Sequence, residues 1–188
     1  MTKIYIDSNV FVSYVLPEEK GYKESKDFID YVLNNNLLKK KIYIFTSRFT
    51  GVEVASAIFR RTKDEDKARA LLYKIQKPWS KIIYLLPRNP ETKIKVDEFV
   101  SDLIETALKF GTHFGDSIHA NDLSKYDINY FVTWNVRHFS QMQGIIPTLK
   151  VRTPIEMLSD LKNPSVQKIM LSKSVIIKDE HGVKLESK

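Results

Sequence analysis

Short apolar segments with strand character alternate with amphipathic helices along most of this chain, and this alternation constrains the fold more than any other feature. The first segment, Lys3–Ile6, is β-branched and aromatic and ends abruptly at Asp7-Ser8-Asn9. Repeated strand–helix–strand units build a parallel sheet with helices on both faces. The sequence therefore predicts an α/β domain, a three-layer α/β/α sandwich with a mostly parallel central sheet. The predicted strands are 3–6, 41–45, 81–86 and 130–133, with 149–151 as a candidate fifth.

Apolar residues at helical spacing predict the elements that connect these strands. Pro78 lacks a backbone donor and is expected to end one helix, and Gly111 is suited to end another. Thr153-Pro154 has the residue types of an N-cap and a first helical turn. The predicted helices are 22–38, one that contains Glu53, 64–77, 91–110, 116–125 and 155–161.

Composition narrows the chemistry that such a domain could perform. The chain has 188 residues, enough for one sizeable domain, and no cysteine, which excludes disulfides and thiolate metal sites. Its net charge of +7 favours polyanionic partners but equally suits a solvated surface. No apolar run approaches about 18 residues and no signal peptide is recognisable, so we expect a soluble, cytoplasmic protein with no membrane association.

The last part of the chain differs from the rest. We expect a nuclease-like domain over residues 1–160 and a C-terminal extension over 161–188, whose role the sequence does not assign. Residues 163–188 are rich in Lys and Ser and contain one apolar run, 174–177. A small hairpin, a strand ordered by a partner and a frayed tail are all compatible with this composition.

Acidic side chains follow the predicted strands at the edge where a ligand would bind. Asp7 comes directly after the first strand, and Asp116 begins a later helix. In open α/β sheets the ligand crevice lies beyond the carboxyl ends of the strands. The alternative for Asp7 is a helix N-cap, and for Asp116 it is an N-cap or a first-turn acid, both common uses of Asp. Ser8 and Asn9 could cap the first helix instead, which would free Asp7.

Two further polar residues fall in comparable places. Glu53 lies in the first turns of the helix after the second strand, among the apolar neighbours Val52 and Val54, so this part of the helix is expected to be largely buried. The alternative is an acid that favours a helix N-terminus. Asn135 follows the fourth strand and could equally be a turn residue. His119, one turn after Asp116, could orient a carboxylate, contact phosphate or pack.

Taken together, these positions indicate a metal site. Three carboxylates that converge need a cation or shifted pKa values to remain close together. Without cysteine, oxygen ligands favour Mg²⁺ or Mn²⁺, and Mg²⁺ in such sites commonly completes its shell with phosphate oxygens. With the basic composition, this suggests phosphodiester cleavage. No Walker-type phosphate loop is present, which argues against an NTPase.

At these residues the chain resembles the PIN-domain nucleases, and within them the toxins of VapBC-type toxin–antitoxin pairs. The resemblance covers about residues 1–160. It implies a PIN-like sandwich and endoribonuclease activity, with Asp7, Glu53 and Asp116 holding the metal; an antitoxin and a homodimer would be the expected partners. The matching segments are 4–11, the Glu53 helix, 114–120 and 131–139.

The chain departs from the family at its fourth acidic position, which is Asn135. One firmly held Mg²⁺ or Mn²⁺ ion is therefore expected rather than two. Asp7 and Asp116 would bind it, Glu53 would be a ligand or orient the attacking water, and Asn135 and Ser8 would tune the site or hold the scissile phosphate. The candidates for RNA contact are Ser8, Arg48, Arg60, Arg61, His119, Arg137 and His138.

Two other functional classes remain open from the sequence. A PIN-fold protein that binds RNA or acts as a scaffold without catalysis would tolerate the loss of an acid at Asn135. A DNA nuclease or another phosphoesterase would use the same metal chemistry on a different substrate.

Overall fold

The computed structural model describes residues 1–86, 96–110, 114–140 and 142–172. These contain one five-stranded, all-parallel sheet in the order β3-β2-β1-β4-β5, which confirms the predicted α/β fold with a mostly parallel sheet. The strand order reverses at β1, so a crevice forms at its carboxyl end between the connections that leave on either side. The strands are β1 Thr2–Ile6, β2 Ile42–Ser47, β3 Ile83–Leu86, β4 Tyr130–Val132 and β5 Lys150–Arg152.

Helices connect the strands and cover both faces of the sheet. They are α1 Ser8–Val15, α2 Tyr22–Asn34, α3 Arg48–Thr62, α4 Glu65–Ile82, α5 Val96–Phe110, α6 Phe114–Lys125, α7 Val136–Phe139, α8 Met142–Ile145, α9 Pro154–Lys162 and α10 Pro164–Ser172. None of the described helices is both long enough and apolar enough to cross a membrane.

The sheet separates two apolar cores because neighbouring strand residues point to opposite faces. Ile4 and Ile6 of β1 pack into one core with residues of α1, α2 and α3. Tyr5, between them in sequence, packs into the other core with Phe45 and Phe131. This alternation gives the sandwich its three layers and places Tyr5 beneath α6, whose Ala120 and Leu123 belong to the second core.

Two predicted helix ends are wrong. The helix predicted over 22–38 ends at Asn34, since Asn35 adopts an extended conformation and buried Leu37 turns the chain back towards β2. The helix predicted to stop before Pro78 continues to Ile82, and β3 starts at Ile83 rather than at residue 81. A proline inside a helix removes one backbone hydrogen bond, but α4, which packs against α3, continues past it.

The C-terminal part is only partly described. Thr153 caps α9 through a full capping box with Glu156, as predicted. Within the predicted extension, α10 packs its buried Met170 on the core, and the Met170 carbonyl accepts a hydrogen bond from Thr2 at 2.8 Å. The boundary after residue 160 falls inside α9 and stays a prediction. The predictions for Gly111, for residues 91–95 and for the apolar run 174–177 lie outside the described residues.

Candidate functional site

Asp7 lies at the carboxyl end of β1, in the N-cap position of α1, but its side chain does not cap the helix. Instead, Oδ2 accepts hydrogen bonds from Thr133 Oγ1 at 2.6 Å and from Asn9 Nδ2 at 2.7 Å, and Oδ1 accepts one from Ser8 Oγ at 3.2 Å. The side chain is buried. The capping alternative is therefore wrong for Asp7, whose carboxylate is aimed and held by its neighbours.

His119 lies between the two carboxylates of Asp7 and Glu53. Its Nε2 is 2.9 Å from Glu53 Oε2 and 3.5 Å from Asp7 Oδ1. Gly115 leaves room for Glu53, because a Cβ at that position would be 3.0 Å from Glu53 Oε1. The structure thus brings together two of the three predicted acids and orients one of them through His119. His119 itself is buried, so the structure favours the orienting role over a direct contact with substrate.

The helix around Glu53 is less buried than predicted. Val54 is fully buried, but Val52 is 67% exposed and the Glu53 side chain is 30% exposed. The reason is that α3 turns only one face, through Val54, Ala57 and Ile58, towards the core. Glu53 consequently stands at the rim between the core and the solvent, where its carboxylate is accessible.

Burial and charge act in opposite directions on this cluster. Burial raises the pKa of the Asp7 carboxyl. The charge of His119 and the hydrogen bond from Thr133 lower this pKa, and the charge of Glu53 raises it. Burial alone would lower the pKa of His119, but the hydrogen bond to Glu53 and the charges of Asp7, Glu53 and Asp122 raise it from 6.5 to about 9. His119 is therefore a cation at neutral pH, and its charge compensates the two acids.

Asp116 occupies the first turn of α6 but is not its N-cap, because the helix already begins at Phe114. Its Oδ2 lies 2.9 Å from His138 Nε2, and the two side chains are 27% and 40% exposed. Among the described residues, no group of three or more His, Asp or Glu side chains is arranged so that it could hold a metal ion. The structure thus pairs Asp116 with His138 rather than with Asp7 and Glu53.

A groove with a volume of about 560 Å³ opens beside Glu53. Asn135, which precedes α7 and does not cap it through its side chain, borders this groove together with Ser8. Of the predicted RNA contacts, Arg60 and Arg61 line the groove, whereas Arg48 and Arg137 are exposed elsewhere on the surface. The groove is lined by Ser8, Asn9, Val12, Ser13, Glu19, Lys20, Val52, Glu53, Ser56, Ala57, Arg60, Arg61, Trp134 and Asn135.

Comparisons with known proteins settle the fold. No protein-family profile and no curated protein sequence matches the chain. VapC20 of Mycobacterium tuberculosis, a toxin that cleaves the sarcin–ricin loop, superposes with a TM-score of 0.52 at 11% identity, over 73% of this chain and 94% of its own. VapBC2 of Rickettsia felis, solved with a DNA fragment from its promoter, gives 0.51 at 13% identity, over 81% and 98%. The chain has the PIN-domain fold of the VapC toxins.

The α/β/α sandwich that the sequence resemblance implied is confirmed. The chemistry of the site depends on this chain's own residues. The donors around the crevice are carboxylate oxygens of Asp7 and Glu53, the hydroxyl of Ser8 and the amide of Asn135. Mg²⁺ and Mn²⁺ bind oxygen donors of these kinds. The donor chemistry therefore fits such an ion, although Asp116 would have to leave His138 to join it.

Several residues that build this part of the PIN fold were not among the predicted site residues. Asn9 bonds both Asp7 and Thr133, and its Oδ1 accepts from the Trp134 backbone N–H at 3.1 Å. On the far side of His119, the Tyr5 hydroxyl lies 2.9 Å from Nδ1. The alternation of side chains along a strand could have predicted that Tyr5 points to the opposite face of the sheet from Ile4 and Ile6.

Proposed function

We propose that this protein is a Mg²⁺- or Mn²⁺-dependent endoribonuclease that hydrolyses RNA phosphodiester bonds. One observation carries the proposal. At the carboxyl edge of the PIN-fold sheet, buried Asp7 and rim-exposed Glu53 stand on either side of His119, beside a groove that Lys20, Arg60 and Arg61 help to line. Buried, charge-coupled ionisable groups with shifted pKa values are concentrated at functional sites, and this supports the proposal.

Each acid has a separate task in this proposal. Asp7 and Asp116 hold the ion, and Glu53 either completes its shell or orients the attacking water. A bound ion would lower the pKa of a coordinated water and neutralise charge that develops at phosphorus. Asp7 is preorganised because its three neighbours supply hydrogen bonds that keep the carboxylate in one orientation. Asn135 and Ser8 border the groove, which supports a role for them in holding the scissile phosphate.

RNA is the proposed substrate class for two reasons. The groove offers the cations Lys20 and Arg60 together with the aromatic surface of Trp134, a combination typical of sites for single-stranded nucleic acid. The similar structure VapC20 is a toxin that cleaves the sarcin–ricin loop, which is consistent with an RNA substrate. The resemblance to VapBC2 supports an antitoxin as partner. We also propose a homodimer and a cytoplasmic location, by analogy alone.

The test is an RNA-cleavage assay with Mg²⁺ or Mn²⁺, with EDTA as a control. Asp7→Asn and Asp116→Asn should each reduce the cleavage rate by at least about 100-fold, since each removes a ligand charge without changing shape. Asp66→Asn is the matched control, because it removes an exposed acid from α4 and should leave the rate unchanged. Undiminished cleavage in both site variants, or cleavage in EDTA, would contradict the proposal.

An RNA-binding PIN protein without catalysis is the second candidate. Asn135 in place of an acid and the pairing of Asp116 with His138 both favour it. The same assay separates the two, because such a protein retains RNA in a binding measurement and leaves it intact with either metal. Replacing the RNA by DNA of the same sequence, or by a phosphomonoester, distinguishes a ribonuclease from other phosphoesterases.

A further inference from the structure

Behind Glu53 lies a chain of polar side chains that the proposed reaction does not use directly. The Asp122 carboxylate on α6 accepts a hydrogen bond from the Tyr5 hydroxyl at 3.2 Å. That hydroxyl lies 2.9 Å from Nδ1 of His119, whose Nε2 contacts Glu53. Tyr5 and His119 are buried. The chain therefore connects the middle of β1 and the inner face of α6 to the rim of the groove.

The types of donor and acceptor fix the orientation of the His119 ring. An ionised carboxylate only accepts hydrogen bonds, so Nε2 of His119 donates to Glu53. Nδ1 then faces the Tyr5 hydroxyl, which can both donate and accept. Turning the ring over would break both bonds and leave two buried nitrogens unpaired. The Tyr5 hydroxyl consequently selects the orientation that aims Nε2 at Glu53.

Packing reinforces this selection. The rings of Tyr5 and His119 meet edge to face, with centroids 5.7 Å apart and an interplanar angle of 82°.

Glu53 needs such support because of where it stands. Its side chain is 30% exposed and follows Val52, which is 67% exposed, so core packing does not fix its rotamer. We propose that Tyr5 and Asp122 are positioning residues: they fix the ring of His119, and His119 holds the Glu53 carboxylate beside Asp7. This inference rests on the proposed metal site for its effect on activity, but its structural part can be tested in metal-free protein.

The decisive variant is Tyr5→Phe, which removes the hydroxyl and keeps the ring. Tyr130→Phe is the matched control, because it removes a hydroxyl from a buried tyrosine on the neighbouring strand β4. In metal-free protein, long-range ¹H–¹⁵N NMR should show a His119 ring N–H that is protected from exchange, assigned by its loss in His119→Gln. We expect Tyr5→Phe to shift this signal and abolish its protection, and Tyr130→Phe to preserve both.

The second measurement uses Mn²⁺ alone, titrated calorimetrically into the full chain. Loss of the support behind a ligand typically weakens metal binding by about 10- to 100-fold. We expect the Mn²⁺ affinity of Tyr5→Phe to fall by that factor, and its kcat for RNA cleavage to fall while KM stays unchanged. In Tyr130→Phe, Mn²⁺ affinity and kcat should both stay within about twofold of the wild type. An unchanged NMR signal, or unchanged Mn²⁺ affinity together with unchanged kcat, would overturn the positioning role.

Two variants of Asp122 test the positioning role without relying on Tyr5→Phe, which could fail to fold. Asp122→Asn keeps an oxygen that accepts from Tyr5, whereas Asp122→Ala removes it, so Asn should retain more Mn²⁺ affinity and more His119 protection than Ala. Equal effects of both would contradict the inference. If the wild type neither binds Mn²⁺ nor cleaves RNA, the proposed function fails, and the NMR comparison alone still decides whether Tyr5 positions the ring.

Discussion

The two aspartates that were expected to share a metal ion occupy very different surroundings. Asp7 is 4% exposed and accepts three side-chain hydrogen bonds, with His119 3.5 Å away. Asp116 is 27% exposed and, within the described part of the chain, forms an ion pair with His138, which is 40% exposed. The first carboxylate is fixed by the fold, whereas the second is free to exchange its partner at little cost.

This difference shows how one site can combine rigidity with access. A buried charge must be satisfied by fixed partners, so the geometry around Asp7 is part of the energetics of folding. An exposed pair in water contributes little to stability, so Asp116 can respond to an ion or a substrate without disturbing the core. We therefore expect substitutions around Asp7 to change stability, and substitutions around Asp116 to change function alone.

The largest expected effect is on the pH dependence of stability in EDTA. The pKa of His119 rises from 6.5 to about 9 in the folded protein, through Glu53 and Asp7 and against the effect of burial. Its stabilising contribution is fully present below pH 6.5 and is lost as pH rises through 9, by up to about 3 kcal/mol. Urea unfolding between pH 7 and 10 measures this loss. In His119→Gln the free energy of unfolding should change little over this pH range. If it falls as steeply as in the wild type, the loss does not come from His119.

A smaller effect is expected from Thr133→Val. The hydroxyl of Thr133 donates to Asp7 and accepts from Asn9 and from the Asn135 N–H, so valine removes three hydrogen bonds at once and should destabilise by about 2 kcal/mol. Thr106→Val is the control, since that hydroxyl bonds only a carbonyl of its own helix, and it should cost less than about 1 kcal/mol. If urea unfolding shows that both variants lose the same free energy of unfolding, the hydrogen bonds around Asp7 add no special stability.

The smallest effect is expected on the Asp116 side. His138→Gln should change the free energy of unfolding by less than about 0.5 kcal/mol, because exposed ion pairs contribute little. A double-mutant cycle with Asp116→Asn measures the coupling of the pair directly. A coupling above about 1 kcal/mol would show that Asp116 is held as firmly as Asp7 and that the comparison is wrong.

The sequence was sufficient for the architecture because its patterns are local. Alternation of strands and helices predicted the parallel sandwich. That the edge with the polar residues after β1 and β4 carries a functional site stays a prediction. The ends of elements were less predictable, because tertiary contacts decide them. Buried Leu37 follows the early end of α2, and α4 continues through Pro78 to Ile82.

The membership of the site stays a prediction, and the arrangement of its side chains was only partly predictable. Asp7, Glu53 and Asn135 could be placed near one edge, yet a sequence does not show that Tyr5 and Asp122 meet, because they are 117 residues apart and belong to different elements. The pairing of His138 with Asp116 was hidden for the same reason. Distances between side chains on different elements depend on packing, which has no local pattern.

The place of β1 at the centre of the sheet has a consequence for synthesis. The strand β1 is synthesised before β4, which pairs beside it, and Thr133, 126 residues after Asp7, supplies the shortest hydrogen bond to that carboxylate. Contacts of such long range form late in folding, after the intervening chain has closed a large loop. A nascent chain therefore cannot complete the hydrogen bonds around Asp7 until Thr133 has left the ribosome.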